Sequence, residues 1–279
     1  MKKLLYFFSI LLLLSSCKKE EETPIAETPK EIIHIGHTKT DQEGEIVDVL
    51  QNINFSEYQL ICHGGDVDQN TSTNEGIMED WNDLFDFGSQ RTLWTLGNHD
   101  VDNRNIIQQY TNRESYYAYT FGKTTFLVLD TQLDESTIID QQLELFNNVC
   151  DTISDSSSLV ILTHLLFWLP DNDELEPQID DIANGKFGTC FYCTKSNNFY
   201  DDLYPRLKEL RDRGIQVLCI AGDLGVKLNQ FEYQTEDGIF FLASGLDFLN
   251  PDAVNQVLLL HYNDQSEQLE WEFEAVESL

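Results

Sequence analysis

The sequence predicts an α/β fold in which two stacked β-sheets carry helices on their outer sides, and three observations lead there. Apolar runs of strand length recur along the chain, stretches of helical periodicity lie between most of them, and strand pairs of alternating character are inserted among them or appended. In order, the runs are "EIIHIGH", "YQLICHGGD", "RTLWTLGNHD", "TTFLVLDT", "SLVILTH" and "IQVLCIAGD". Such near-continuous apolar strands are buried on both faces, as in a largely parallel sheet.

The helical faces follow from spacing. Ile46, Val47, Val49, Leu50 and Ile53 form one; Ile77, Trp81, Leu84 and Phe85 a second; Leu203, Leu207 and Leu210 a third. Three hairpins are expected: "SYYAYTF" turning at Gly122 into "TTFLVLDT", "FEYQT" turning at Asp237-Gly238 into "IFFLASG", and "QVLLLHY" followed by "QLEWEFEAV". The acidic segment from Asp171 to Asn198 lacks either period and reads as a loop over one end of the sheets, a candidate lid.

Residues 1–16 read as a signal peptide: two lysines, a short apolar run and small residues before Cys17. Leu14-Ser15-Ser16-Cys17 is similar to a bacterial lipobox, which makes Cys17 the lipidated first residue and residues 17–30 a polar tether. An exported lipoprotein of the outer membrane or cell surface is therefore expected. Residues 31–279 hold no internal repeat and no dividing linker, and are taken as one domain.

With 49 acidic and 17 basic side chains the net charge is −32, which argues against nucleic-acid binding through a basic face. The same charge opposes anionic ligands, so phosphate chemistry here requires a metal or a well-placed Lys or Arg; screening over about 8 Å lets a local cation prevail. Cys62 and Cys219 lie inside apolar strands and read as inert, while Cys190 and Cys193 in "GTCFYCTK" are either free or joined in a local disulfide.

Nearly every core strand ends in a potential ligand: His37, His63 and Asp66, Asn98 and His99, His164, and Asp223. Parallel strands bring these ends to one edge, where α/β proteins place their ligands. "GNHD" alone is consistent with a turn, but five polar strand ends are hard to explain by packing. His34, in mid-strand, and His261, in the last hairpin, read as structural.

These blocks resemble the calcineurin-like metallophosphoesterases, from about Glu31 to the C-terminus. The Gly-Asp block is "GGDVDQN", the Gly-Asn-His-Asp block "GNHD" and the later strand-His block "VILTHLLFW", in the family's order. The resemblance implies a four-layer αββα sandwich. It makes Asp66 the metal-bridging carboxylate, Asn98 and His164 metal ligands, and His99 the residue beside the leaving group, with Asp100 grouped with the catalytic residues.

Two motifs depart from the family. Where its first strand ends in Asp-x-His, this chain has His37-Thr38-Lys39; where its last ligand block is Gly-His-x-His, this chain has Gly222-Asp223-Leu224-Gly225. One ligand set survives, Asp66, Asn98 and His164 with Asp223, enough for a single Mn, Zn or Fe ion. The other retains only Asp66 and His37, because an ammonium does not ligate and glycine has no side chain. Lys39 is either a surrogate for the missing ion, paired with Asp66, or a solvated loop lysine; Asp41 is either a ligand that swings in to the second site or, as its position favours, a turn residue. The expected function is hydrolysis of a small phosphomonoester or phosphodiester with one metal ion, and the alternative is an inactive binding module of the same fold.

Overall fold

The computed structural model of the chain describes residues 31–263 and 265–279, so the expected signal peptide and tether, with the expected lipidation at Cys17, lie outside the described residues. The strands, in chain order, are β1 (Glu31–Ile35), β2 (Leu60–His63), β3 (Thr92–Trp94), β4 (Tyr117–Phe121), β5 (Thr124–Val128), β6 (Ser158–Thr163), β7 (Gln216–Ala221), β8 (Gln230–Gln234), β9 (Phe240–Ser244), β10 (Gln256–Asn263) and β11 (Gln268–Ala275). The helices are α1 (Asp48–Asn52), α2 (Glu75–Phe85), α3 (Arg104–Thr111), α4 (Asp140–Thr152), α5 (Ile179–Ile182) and α6 (Tyr204–Asp212).

Two mixed sheets form, ordered β11-β10-β1-β2-β3 and β4-β5-β6-β7-β9-β8. The six apolar runs supply the parallel strands β1, β2, β3, β5, β6 and β7, and the three expected hairpins supply antiparallel neighbours. Strand periodicity divides the apolar residues between layers. Along β6, Leu159 and Ile161 face the helices whereas Val160 and Leu162 face the other sheet; along β10, Val257 and Leu259 face outward, and Leu258 and Leu260 inward. Three apolar cores result: one between the sheets, and one between each sheet and its helices. That is the four-layer αββα arrangement.

The helices fill the outer cores with the expected faces. Trp81 and Phe85 of α2 are buried, as are Leu207 and Leu210 of α6. The first predicted face contracts to the five residues of α1, where Leu50 is buried and Ile46, Val47 and Val49 pack half-exposed against the core. The sequence reading did not mark α3, whose Arg104 pairs with the buried carboxylate of Asp130. The segment from Asp171 to Asn198 folds into α5 and a short 3₁₀ turn, and Cys190 and Cys193 form a disulfide.

All loops that carry the polar strand ends emerge where the two sheets meet. Leu246, after β9, donates its N–H to Gly36 after β1 (3.1 Å), and Gly222 after β7 lies against Gly64 after β2. Among the described residues, no helix is long and apolar enough to cross a membrane.

Candidate functional site

At the junction of the sheets Asp66 is almost wholly buried, and its two carboxylate oxygens face different surroundings. Oδ1 accepts the backbone N–H of His99 (3.1 Å) and lies 3.5 Å from Nε2 of His164. Oδ2 lies 3.3 Å from Nζ of Lys39 and 4.0 Å from Nε2 of His37. Asp66 itself adopts φ +54°, and His37 φ +56°, a left-handed backbone that non-glycine residues tolerate only where surrounding contacts fix it.

Those contacts are on the chain. Asp100, with no exposed surface, accepts the N–H groups of Asp66 (2.8 Å), Val67 (3.1 Å) and Gly97 (2.8 Å) and the hydroxyl of Thr71 (2.7 Å). Both of its oxygens are spent on holding the Asp66 loop, so the residue grouped with the catalytic set positions Asp66 from below. Burial, reinforced by Asp66, pushes the Asp100 carboxyl up to about 6 against the pull of these donors. Gly97 is required on the other side: a Cβ there would stand 2.1 Å from Oδ1 of Asp66.

Three histidines are oriented by one device. Nδ1 of His37 donates to the carbonyl of Leu246 (2.7 Å), Nδ1 of His99 to that of Gln69 (2.9 Å), and Nδ1 of His164 to that of Gly64 (2.7 Å). A carbonyl only accepts, so the hydrogen sits on Nδ1, and Nε2 is left for the cleft. At His164 this Nε2 is buried without a hydrogen-bond partner, 3.5 Å from Asp66 and 3.8 Å from Oδ1 of Asp223. Two ligands of a tetrahedral ion with ~2.1 Å bonds stand ~3.4 Å apart, so the spacing and the orphaned nitrogen fit an ion shared by these side chains. Asn98, half-buried beside them, makes no side-chain hydrogen bond among the described residues, which leaves its amide oxygen available.

The fit is to one ion and is incomplete without Asn98. Among the described residues no three His, Cys, Asp or Glu side chains form a ready metal cage. On the other side of Asp66 the place of a second ion is crowded by protein. Gly225 has φ +133°, and a Cβ there would stand 2.4 Å from the carbonyl oxygen of Leu246, the same carbonyl that anchors His37. A histidine cannot be restored at this position without displacing that loop.

The electrostatics follow the same division. Burial opposes ionisation of Asp66, but His164, Lys39, His37 and His99 outweigh it and hold its carboxyl well below the usual range. Burial, aided by Lys39, pulls His37 down to about 4, so its imidazole is neutral at pH 7. Burial opposes the charging of His164 as well, yet Asp66 and Asp223 prevail and raise its pKa. Asp223 is raised by burial.

His63, read from the sequence as one of the potential ligands at strand ends, is outside this set. Its Nδ1 accepts from Gly65 N–H (3.1 Å), its Nε2 meets the hydroxyl of Thr38 (3.2 Å), and its ring packs edge-on against Phe85. Burial pulls it down to about 3, a neutral core histidine. His34 bonds Ser244 (2.8 Å), His261 pairs with Glu272 at the surface, and Asp41 lies in an exposed bend. The anchoring carbonyls of Leu246, Gln69 and Gly64 were missed from the sequence, because a backbone oxygen leaves no residue-type signal.

The family profile for calcineurin-like phosphoesterases matches residues 32–172, a span that includes His37, Lys39, Asp66, Asn98, His99 and His164 and ends before Asp223. No curated protein matches the chain in sequence. Among solved structures, a dimetal phosphatase from Danio rerio is 13% identical and superposes with a TM-score of 0.57 over 89% of this chain and 97% of that one. The NAD nucleotidase of Haemophilus influenzae is 12% identical (88% of this chain, 49% of that one, TM-score 0.41), and the phosphopantetheinyl hydrolase of Mycobacterium tuberculosis 10% identical (77% and 89%, TM-score 0.42). At such identities the first of these likenesses speaks to the fold.

Proposed function

The chain belongs to the calcineurin-like phosphoesterases, and from that premise we propose that it hydrolyses small phosphate esters with a single divalent ion, the place of a second being taken by Lys39. The observation that supports this most is the division of Asp66 between the orphaned Nε2 of His164 and the ammonium of Lys39. His164, Asp66, Asp223 and Asn98 would hold the ion. When bound, such an ion polarises a phosphoryl oxygen and lowers the pKa of a water.

The chain's own groups do the rest. The Lys39 ammonium, 13% exposed, presents positive charge to an equatorial phosphoryl oxygen where low dielectric strengthens it. It also offsets the repulsion of a −32 surface within a Debye length. His99, half-buried with its Nδ1–H tied to Gln69, turns Nε2 to the cleft; once Nε2 has taken up a proton from water, the imidazolium delivers that proton to the leaving oxygen and returns to the Nδ1–H form. The tie fixes the ring and selects the atom that acts.

The test compares leaving groups. His99→Ala should lower turnover on alkyl phosphates by ~10²-fold or more and on nitrophenyl phosphates far less, since nitrophenolate leaves without a proton. Equal losses on both would remove His99 from that role. The incomplete cage favours a second reading, a binding module that holds a phosphorylated ligand without turning it over. Phosphate binding undiminished by chelators, with no turnover under Mn, Zn or Fe, would establish it. Anchorage to a bacterial outer membrane or cell surface through a lipidated Cys17 belongs to the same proposal; labelled palmitate should enter the wild-type chain and not Cys17→Ser.

A further inference from the structure

The exposed apolar side chains of this protein are concentrated beside the site. Among the described residues, every exposed large hydrophobic except Leu279 comes from three loops, those after β6, β7 and β9. Phe191 and Tyr192 are 70% and 48% exposed, Val226 and Leu228 51% and 39%, Leu249 and Val254 56% and 63%. Single exposed apolar residues need no explanation, but gathering them on one rim does.

The three loops are tied to one another and to the site. Asn184 donates its N–H to the carbonyl of Asp223 (3.5 Å), and its side-chain oxygen accepts from Val226 N–H (2.8 Å). Lys227 donates to Gly185 O (3.2 Å), Asn229 to Gly245 O (3.2 Å), and Leu246 carries the carbonyl that anchors His37. At the tip of the first loop, the Cys190–Cys193 disulfide closes a turn whose two middle residues are Phe191 and Tyr192, ring against ring at 5.0 Å. Two aromatic rings are thus held in water by a covalent clasp.

Charge selects the occupant. In a chain of 49 acids and 17 bases, residues 183–195 and 224–229 contain Lys186, Lys195 and Lys227 and no acid. The third loop carries Asp247, buried and bonded to Leu249 N–H, and Asp252. Lys195 pairs with Glu135, and Asp180, Asp181 and Asp223 flank these stretches, so the rim supplies apolar surface while the cation that faces the phosphate is Lys39 of the floor; together they are complementary to an anionic amphiphile with its phosphate inward.

We propose that the substrates are phosphate esters of apolar alcohols, whose alkyl or aryl part lies on the rim formed by Phe191, Tyr192, Val226 and Leu228 while the phosphate meets the floor. The proposal rests on the phosphate-binding reading of the floor and adds the class of alcohol.

Calorimetry with methyl, butyl and octyl phosphate, each below its micelle-forming concentration, tests it without requiring turnover. Affinity should rise with chain length, by up to about fourfold per methylene where burial is complete. The double variant Phe191→Ser with Tyr192→Ser, at exposed positions, should lose most of that gain and keep the methyl phosphate affinity of the parent. Equal affinity for methyl and octyl phosphate would overturn the rim and leave the floor intact. Octanol binding as tightly as octyl phosphate, or binding to phospholipid vesicles without binding to the monomeric ester, would also overturn it. Absence of binding by methyl and octyl phosphate alike would remove the floor reading and the proposal together.

Discussion

Nζ of Lys39 lies 3.3 Å from Oδ2 of Asp66, on the face of that carboxylate opposite the orphaned Nε2 of His164. The ion pair is 13% exposed on the lysine and 2% on the aspartate. A carboxylate that joins two ions in the family is here joined to one candidate ion site and one fixed ammonium. A single lysine thereby supplies one charge where a divalent ion would supply two, and a phosphate bound here meets a weaker but permanent field.

Removing the ammonium isolates a buried carboxylate. Lys39→Met should cost up to about 3 kcal/mol of stability at pH 7, measured by urea unfolding, since breaking a buried pair from one side leaves the other charge with His164 as its main remaining partner. Asp66 is held below its unfolded pKa in the fold, so its contribution is present above about pH 4 and is lost as pH falls through the folded value. The deficit of the variant should therefore shrink in acid. A variant as stable as the parent at pH 7 would show that Lys39 does not compensate Asp66.

Asp100→Asn tests the positioning of the same loop. One amide oxygen cannot accept three N–H groups and a hydroxyl, and the new NH₂ faces donors. A loss of about 2–3 kcal/mol is expected, by the cost of leaving a buried donor unsatisfied, together with weaker phosphate binding. Unchanged stability and binding would mean that the loop is held by other contacts.

At Gly225 the backbone has φ +133° and a Cβ would meet Leu246 O at 2.4 Å. Gly225→Ala should destabilise the fold by at least 1–3 kcal/mol, the scale of strain at a sparsely allowed φ, and loosen His37 through its shared carbonyl. Restoring all four family ligands, including His at 225, should consequently fail to create a second site. A folded quadruple variant with two ions would refute the steric argument.

Three buried histidines, His34, His63 and His37, weaken the fold in mild acid, opposed in part by Asp100, whose raised carboxyl takes up its proton there. Burial pulls His34 and His63 down to about 3 from 6.5, so the fold binds fewer protons than the unfolded chain between those values. Their stabilisation is complete above pH 6.5 and declines as pH falls toward the folded value. The melting temperature should drop between pH 6.5 and pH 4.5, before most carboxylates titrate, and His34→Gln should flatten that slope. An equal slope in variant and parent would assign the loss elsewhere.

The sandwich was legible because apolar runs buried on both faces, such as "SLVILTH", and hairpin turns such as Asp237-Gly238 leave signals at the period of a strand. The polar strand ends were legible for the same reason: parallel topology gathers whatever follows each strand. What the sequence could not separate was which ends face the cleft. His63 and His164 each follow or close a buried strand, yet Gly65 N–H occupies one ring nitrogen of His63 whereas Nε2 of His164 is left bare. The difference lies in backbone donors and acceptors, which are common to every residue type. Arg104 on α3 was missed because that short helix has a narrow apolar face, Ile106 and Ile107.

The most direct measurement is the number of ions per folded chain. Protein equilibrated with excess Mn, Zn or Fe and freed of unbound metal should carry one ion by elemental analysis, and His164→Ala should carry none while remaining folded by circular dichroism. Two tightly bound ions in the wild-type chain would contradict the account, because a second ion could not share Asp66 with the Lys39 ammonium now 3.3 Å from it.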